Sequence, residues 1–310
     1  MADRASSAEL LPGQAGAQRG PDASVAISRT RLVARRFLRR RPALAGLASL
    51  ALLFAVAYLG PFVTPWHYNE LDANAFLSPP SAAHWFGTTQ TGFDMFALTM
   101  RGLQKSLIVG LLGAVMSTAI AAIVGAFSGY FGGALNTVLL TIIDLLLVLP
   151  SFLVIAILSP LFRDHTWLVF VFLLAAFQWM VTARIVRGLT LSLKEREFVM
   201  AARFMGVPGW KIILRHILPN MASFLIIDAT INVSSLILAE VGLSFFGFGV
   251  QPPDVSLGTL IGDNAGAALS YPWEFYFPSA FLVGLILSIN LVGDGLRDAL
   301  DPNAVLQGGR

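Results

Sequence analysis

The sequence has no cysteine, which removes thiol catalysis, disulfides and cysteine–metal sites together. Charge is also scarce. Asp, Glu, Lys and Arg make up 13% of the 310 residues, against roughly 25% in soluble domains. Histidine is limited to His67, His84, His165 and His216, and none pairs with another at ligand spacing, so no metal site is expected. Lysine is limited to Lys105, Lys194 and Lys211, which follow Gln104, Leu193 and Trp210. A phosphate-cradling loop needs glycine directly before its lysine. None of the three qualifies, so the chain is not expected to hydrolyse ATP or to be an enzyme. What is present is apolar: 56% of residues are hydrophobic and the mean hydropathy is +0.72. Several apolar runs approach the roughly 20 residues that a helix needs to cross a bilayer. The class is all-α, a polytopic membrane protein. The net charge of +3 reflects arginines beside apolar runs, which orient a membrane protein, and does not argue for nucleic acid.

Taken in order, residues 1–28 are rich in Ala, Gly, Ser and Pro and read as a disordered cytosolic tail. Residues 29–103 hold a basic segment (Arg29, Arg31, Arg35, Arg36, Arg39, Arg40, Arg41), a first span at Ala43–Val63 and an irregular extracytoplasmic loop. That span starts too far in, and runs too long, for a cleaved signal peptide. Residues 104–303 form a core domain, and 304–310 a short tail. Further spans are expected at Leu103–Ser128, Leu135–Leu158, Trp167–Ile185, Met221–Phe246 and Phe275–Val292. The second is dense in small residues (Gly110, Gly113, Ala114, Ser117, Ala121, Ala122, Gly125), which lets helices approach closely in lipid. Gly129–Gly133 reads as a turn, and Pro150 should kink the third span. Six spans put both termini on one side. The arginine-rich start and the basic residues at 184–215 place that side, and the loop 188–219, in the cytoplasm.

That loop organises the chain. Arg196–Asn220 reads REFVMAARFMGVPGWKIILRHILPN. Gly206 suits a left-handed helix end, and Pro208 suits the first turn of the next helix. The segment reads as helix, sharp turn, helix, with Ala201 and Ala202 as a smooth patch that another protein could approach closely. The plainer alternative is a solvated basic linker.

Several stretches then resemble one family in order. Met200-Ala201-Ala202, Gly206, His216 and Leu218-Pro219 align with the cytosolic signature of permease subunits of ATP-binding-cassette importers, in the dipeptide/oligopeptide group, second permease type. Met200 stands where the family generally has Glu, and His216 where it has Ile; Glu197, one turn earlier, is a candidate substitute for the missing acid. His84-Trp85-Phe86-Gly87-Thr88 with Gly92 and Asp94, then Arg101-Gly102 and Ser106-Leu107, resemble the family's outer segment, with Thr89 and Phe93 departing from it. Asp144 with Pro150, Ile237–Pro253 and Asn290–Asn303 complete the series. The resemblance covers about residues 30–303.

It implies the type I importer permease fold in the cytoplasmic membrane. It also implies a second, similar permease, two ATPase domains that bind ATP and Mg, and an extracytoplasmic solute-binding protein, with no cofactor in this chain. Glu197, Met200, Ala201, Ala202, Arg203, Gly206, Leu218 and Pro219 would form the ATPase-docking loop. Among polar residues, Asp144 sits well inside the third span, where an ionised carboxylate facing lipid costs at least about 2.5–3.5 kcal/mol. It should face a cavity, pair with another group or be protonated, as a pathway residue or as an interhelical tie near Pro150. Glu240, near the outer boundary, is either a contact for substrate or binding protein or a tie to the Gln251-Pro252-Pro253 loop. Asp294, Arg297 and Asp298 read as a charge network at the end of the sixth span. The expected activity is ATP-driven import of di- or oligopeptides. Rivals are the same machine carrying nickel, glutathione or haem, an ion-gradient secondary transporter using Asp144, and an intramembrane enzyme, for which no nucleophile–base pair is found.

Overall fold

The computed structural model describes residues 29–162 and 167–300. The predicted N-terminal tail, the C-terminal tail 304–310 and His165 lie outside the described residues. The described residues are helical, with no named strand: α1 Arg29–Phe37, α2 Arg41–Leu59, α3 Met95–Phe131, α4 Gly133–Val148, α5 Ser151–Leu158, α6 Trp167–Leu193, α7 Glu197–Phe204, α8 Gly209–Ile212, α9 Leu218–Asn220, α10 Ala222–Phe245, α11 Leu257–Asn264 and α12 Pro272–Leu300. A π-helical segment, Ile213–Ile217, joins α8 to α9. Among the described residues, five helical stretches are long and apolar enough to cross a membrane, and six if α4 and α5 count as one broken span.

Five of the six expected spans are single helices and the third is the broken pair α4–α5; the helix runs past the expected bounds in α3, α6 and α12. α3 runs 37 residues, about 55 Å at 1.5 Å per residue, far beyond a hydrocarbon core of about 30 Å. Hydropathy sees only its apolar part. The helix starts earlier because Asp94 caps it, its side chain accepting from the Ala97 N–H at 2.8 Å. A division between residues 103 and 104 therefore cuts α3 and is not a boundary between elements. The turn expected at Gly129–Gly133 is shorter, since α3 continues to Phe131 and only Gly132 intervenes before α4. Pro150 does more than kink the third span: α4 and α5 meet at 81°, because proline removes a helical hydrogen bond and clashes with the preceding turn.

α3 is the central post. It packs most extensively on α6 and α10, while α2 lies along α12 and α11 wedges among α3, α10 and α12. Small residues set these distances. A Cβ built on Gly125 would lie 2.4 Å from the Ala183 carbonyl on α6, and one on Gly110 would lie 2.6 Å from Ile237 on α10. The helices are as close as glycine allows. Between α2 and α3, residues 63–94 form an irregular cap held by two isolated β-bridges, Leu71–Phe93 and Thr88–Asp94. It is tied to α12 by Trp273, which donates to the Thr88 carbonyl at 3.1 Å, and by Glu274, which accepts from the Gln90 N–H at 3.0 Å. This cap and residues 194–220 sit at opposite ends of α3.

Candidate functional site: the loop between α6 and α10

α7 is short because its ends are both signalled. Glu197 opens it, a favourable charge for the helix dipole, and Arg203 lies in its last turn. Its C-terminus closes as a Schellman turn. The Gly206 N–H donates to the Arg203 carbonyl at 3.0 Å and the Val207 N–H to the Ala202 carbonyl at 3.1 Å, with Gly206 at φ +77°. Pro208 then caps α8 from outside, one position before the first helical turn.

The inward face of α7 carries Val199 and Ala202, packed with Ile212, Ile213, Ile217 and Met221 and with Ala126 and Val186 of α3 and α6. The expected Ala201–Ala202 patch is thus half right. Ala201 is exposed, but Ala202 is buried (2%) and supports the helix from beneath. The period of 3.6 turns adjacent alanines 100° apart, so they cannot share one face. The outward face is Glu197, Met200, Ala201, Phe204 and Met205. Phe204 is 89% exposed and Met205 76%, two adjacent bare apolar side chains at the end of α7. Arg203 and Met200 also line a groove of about 470 Å³, floored by Tyr130 and Phe131 at the end of α3 and bordered by Lys194 and Glu195.

The loop is mechanically continuous with α10. From Gly209 to Phe245 the chain is helical with a break only at Met221. The π segment ends at Ile217, two positions before Pro219, whose missing N–H leaves the local ladder incomplete. The Asn220 side-chain amide donates to the His216 carbonyl at 2.6 Å. Leu218 is half-buried in the cluster under α7, and Pro219 is exposed.

The remaining predicted residues do not join this site. Asp144, exposed on α4, pairs with Arg184 of α6, the pairing outcome of the three that an intramembrane carboxylate allows. Arg184 and Arg187 both lie on α6; the Arg187 guanidinium donates to Asn136 of α4 at 2.6 Å. Glu240 is fully buried, accepting from the hydroxyls of Ser244 and Ser256, each at 2.6 Å. Ser256 is the N-cap of α11, so Glu240 ties the end of α10 to the far side of the Gln251-Pro252-Pro253 loop. Asp294 and Arg297 are exposed. The ion pair that fastens the end of α12 is Asp298 with Arg40, at 2.9 Å.

Two clusters escaped the sequence reading. Asp228, seven residues into α10, accepts from Thr182 of α6 at 2.9 Å, Thr118 of α3 at 3.2 Å and Asn232 at 2.8 Å, and Asn232 in turn accepts from Gln178 of α6 at 3.2 Å. The available signal was a single carboxylate in the apolar run FLIIDATIN. In the cap, buried His84 lies between Asp94 (2.8 Å) and Asp72 (3.3 Å), with Trp66 stacked on its ring. Among the described residues, no group of three or more His, Cys, Asp or Glu could hold a metal.

Comparison with known proteins now adds to this geometry. Residues 121–305 match the family described as binding-protein-dependent transport system inner membrane component, and residues 28–80 match the N-terminal TM domain of oligopeptide transport permease C. The chain is 56% identical over 276 residues to the oligopeptide transport system permease protein OppC of Mycobacterium tuberculosis (strain ATCC 25618 / H37Rv), covering 89% of this chain and 95% of that one. It is 40% identical over 270 residues to OppC of Haemophilus influenzae (strain ATCC 51907 / DSM 11121 / KW20 / Rd), covering 86% of each. A chain from inward-facing conformations of the MetNI methionine ABC transporter superposes with a TM-score of 0.53 at 19% identity, over 67% of this chain and 98% of that one.

Proposed function

We propose a function from one premise: the chain belongs to the family of binding-protein-dependent transport system inner membrane components. On that premise it is the membrane permease of an ATP-driven importer of di- or oligopeptides in the cytoplasmic membrane, the reading supported by relatives named for oligopeptide transport. It works beside a second permease, above two ATPase domains that hold ATP and Mg, and below a solute-binding protein. No bond in the cargo changes.

The observation that carries the mechanism is the exposed end of α7. Phe204 and Met205 project from a helix whose other face is locked into the bundle. The left-handed Gly206 holds that end in one shape. A partner ATPase seats on Glu197, Met200, Ala201, Arg203, Phe204 and Gly206, with Leu218 and Pro219 at the root of the loop and Ala202 bracing it from within. When the ATPases close, α7 is displaced. Displacement passes through α8, the π segment and α9 into α10, which slides against α3, α11 and α12. The Asp228 cluster spans α3, α6 and α10, so that sliding exchanges its hydrogen bonds. Access to a pathway between the two permeases alternates accordingly. Six helices leave little room for a peptide-sized channel within one chain.

Because the chain has no cysteine, Phe204→Cys gives a unique labelling site. With a short photoactivatable cross-linker there, the product expected is an adduct with the ATPase subunit. An assembled complex that yields no such adduct, while a probe on the opposite end of α3 does, would overturn the docking role.

A further inference from the structure

Near the end of α3 remote from the docking loop, charge does not balance. Arg101 Nη2 and Lys105 Nζ both approach the same Asp254 oxygen, at 3.1 Å and 2.9 Å. Two cations thus share one carboxylate. Lys105 is buried (6%), with its ammonium 4.2 Å from the Trp167 ring centroid, and Arg101 lies 4.7 Å from the Tyr68 ring centroid. Ring faces stabilise a cation but do not cancel its charge. The Arg101 Nε is buried and, among the described residues, has no acceptor. A buried donor on a charged group left unmet is costly.

The same arginine lines a cavity of about 200 Å³ enclosed by Pro61 at the end of α2, Trp66, His67 and Tyr68 in the following turn, and Gln104 on α3. Gln104 already donates to the Ala57 carbonyl at 2.6 Å, and the Trp66 indole to Ala83 at 3.0 Å. That leaves the guanidinium as the charged group of the cavity. Beside its wall, Leu59, Phe62 and Val63 are 63%, 85% and 66% exposed. They close an apolar span, where side chains this bare meet acyl chains, and Trp66 and Tyr68 are the residue types that sit at headgroup level.

We propose that this cavity binds the phosphate of an anionic phospholipid of the adjacent leaflet, with Arg101 as its principal donor and the acyl chains lying over Leu59, Phe62 and Val63. A guanidinium fork matches phosphate geometry. The oxyanion chemistry would also suit free inorganic phosphate; the apolar surface beside the cavity selects the lipid.

The test uses the full-length chain purified with its associated subunits, delipidated in detergent and examined by native mass spectrometry. Both lipids offer a phosphate, but the choline ammonium of phosphatidylcholine meets the Arg101–Lys105 pair with like charge, so phosphatidylglycerol should bind about tenfold better. Arg101→Gln, which keeps the Lys105–Asp254 pair, should lose that preference, and Arg101→Lys should retain part of it. Millimolar inorganic phosphate should leave the lipid bound. Displacement by phosphate would overturn the lipid assignment. Equal retention of the two lipids by the unmodified chain would overturn the site itself, whether or not the variants fold.

Discussion

Gly206 offers a test in which backbone and bulk pull apart. Its φ of +77° lies in the left-handed region, where an L-residue costs roughly 1–2 kcal/mol. A Cβ built there meets nothing within 4 Å, so the chain itself opposes no added volume. Asparagine tolerates this conformation far better than alanine, although it is larger. Valine, stiffened at its β-carbon, should tolerate it least. A cost of about 1–2 kcal/mol corresponds to a factor of about 5–30 in the population of the closed turn. If that turn presents α7 to the ATPase, peptide uptake by the assembled importer should fall about 5–30-fold in Gly206→Ala and further in Gly206→Val. Gly206→Asn should stay within a few-fold of the unmodified chain. The assay is uptake of a labelled peptide in proteoliposomes, normalised to permease inserted, which should not change. A ranking by size, with alanine better than asparagine, would refute the backbone argument. Full activity in the valine variant would remove the turn from the mechanism.

Other outcomes follow from the same structure. Gly125→Ala places a Cβ 2.4 Å from the Ala183 carbonyl, so it should force α3 from α6 and lower stability by about 1–3 kcal/mol, read as a drop in the melting temperature of the solubilised complex. Asp228→Ala strands donors from Thr118, Thr182 and Asn232 and should cost about 1–3 kcal/mol; uptake should fall more than in Asp228→Asn, which keeps an acceptor for part of the cluster. His84→Ala leaves Asp94 and Asp72 facing each other without the ring between them. The cap should loosen by about 1.5–3 kcal/mol per charge-assisted bond lost, seen as faster limited proteolysis of residues 64–94 with the helical bundle intact.

The architecture was largely written in apolar run length, because a bilayer demands about 20 apolar residues whatever the tertiary contacts. Gly206 and Pro150 were legible for a related reason: left-handed backbone and broken helices have few residue types to serve them. Ala202 was misread because a repeated residue type does not say which face it occupies; only the packing under α7 does. The ends of α3 and α6 were set by caps and polar helical turns that hydropathy does not weigh. Pairings across sequence were the least accessible. Asp144 signalled that it needed a partner, but the choice of Arg184, 40 residues on, depends on how α4 lies against α6. Asp228 gave the same prompt, and Asn232 four residues on is a local donor, but Thr118 and Thr182 come from two other helices that no local spacing connects to it. His84 was noticed only as part of a motif; its two carboxylates meet through the fold of the cap.

The central claim is that this chain conducts but does not power transport, and that force reaches it through α7. The most direct measurement is uptake in proteoliposomes containing the chain, its companion permease, the ATPases and the binding protein. Omission of each component and of ATP supplies the controls. Concentrative peptide uptake should require hydrolysable ATP and the ATPases, and should be lost when Phe204 and Met205 are both replaced by aspartate. Concentration of a solute by the purified chain alone, without nucleotide, would contradict the account.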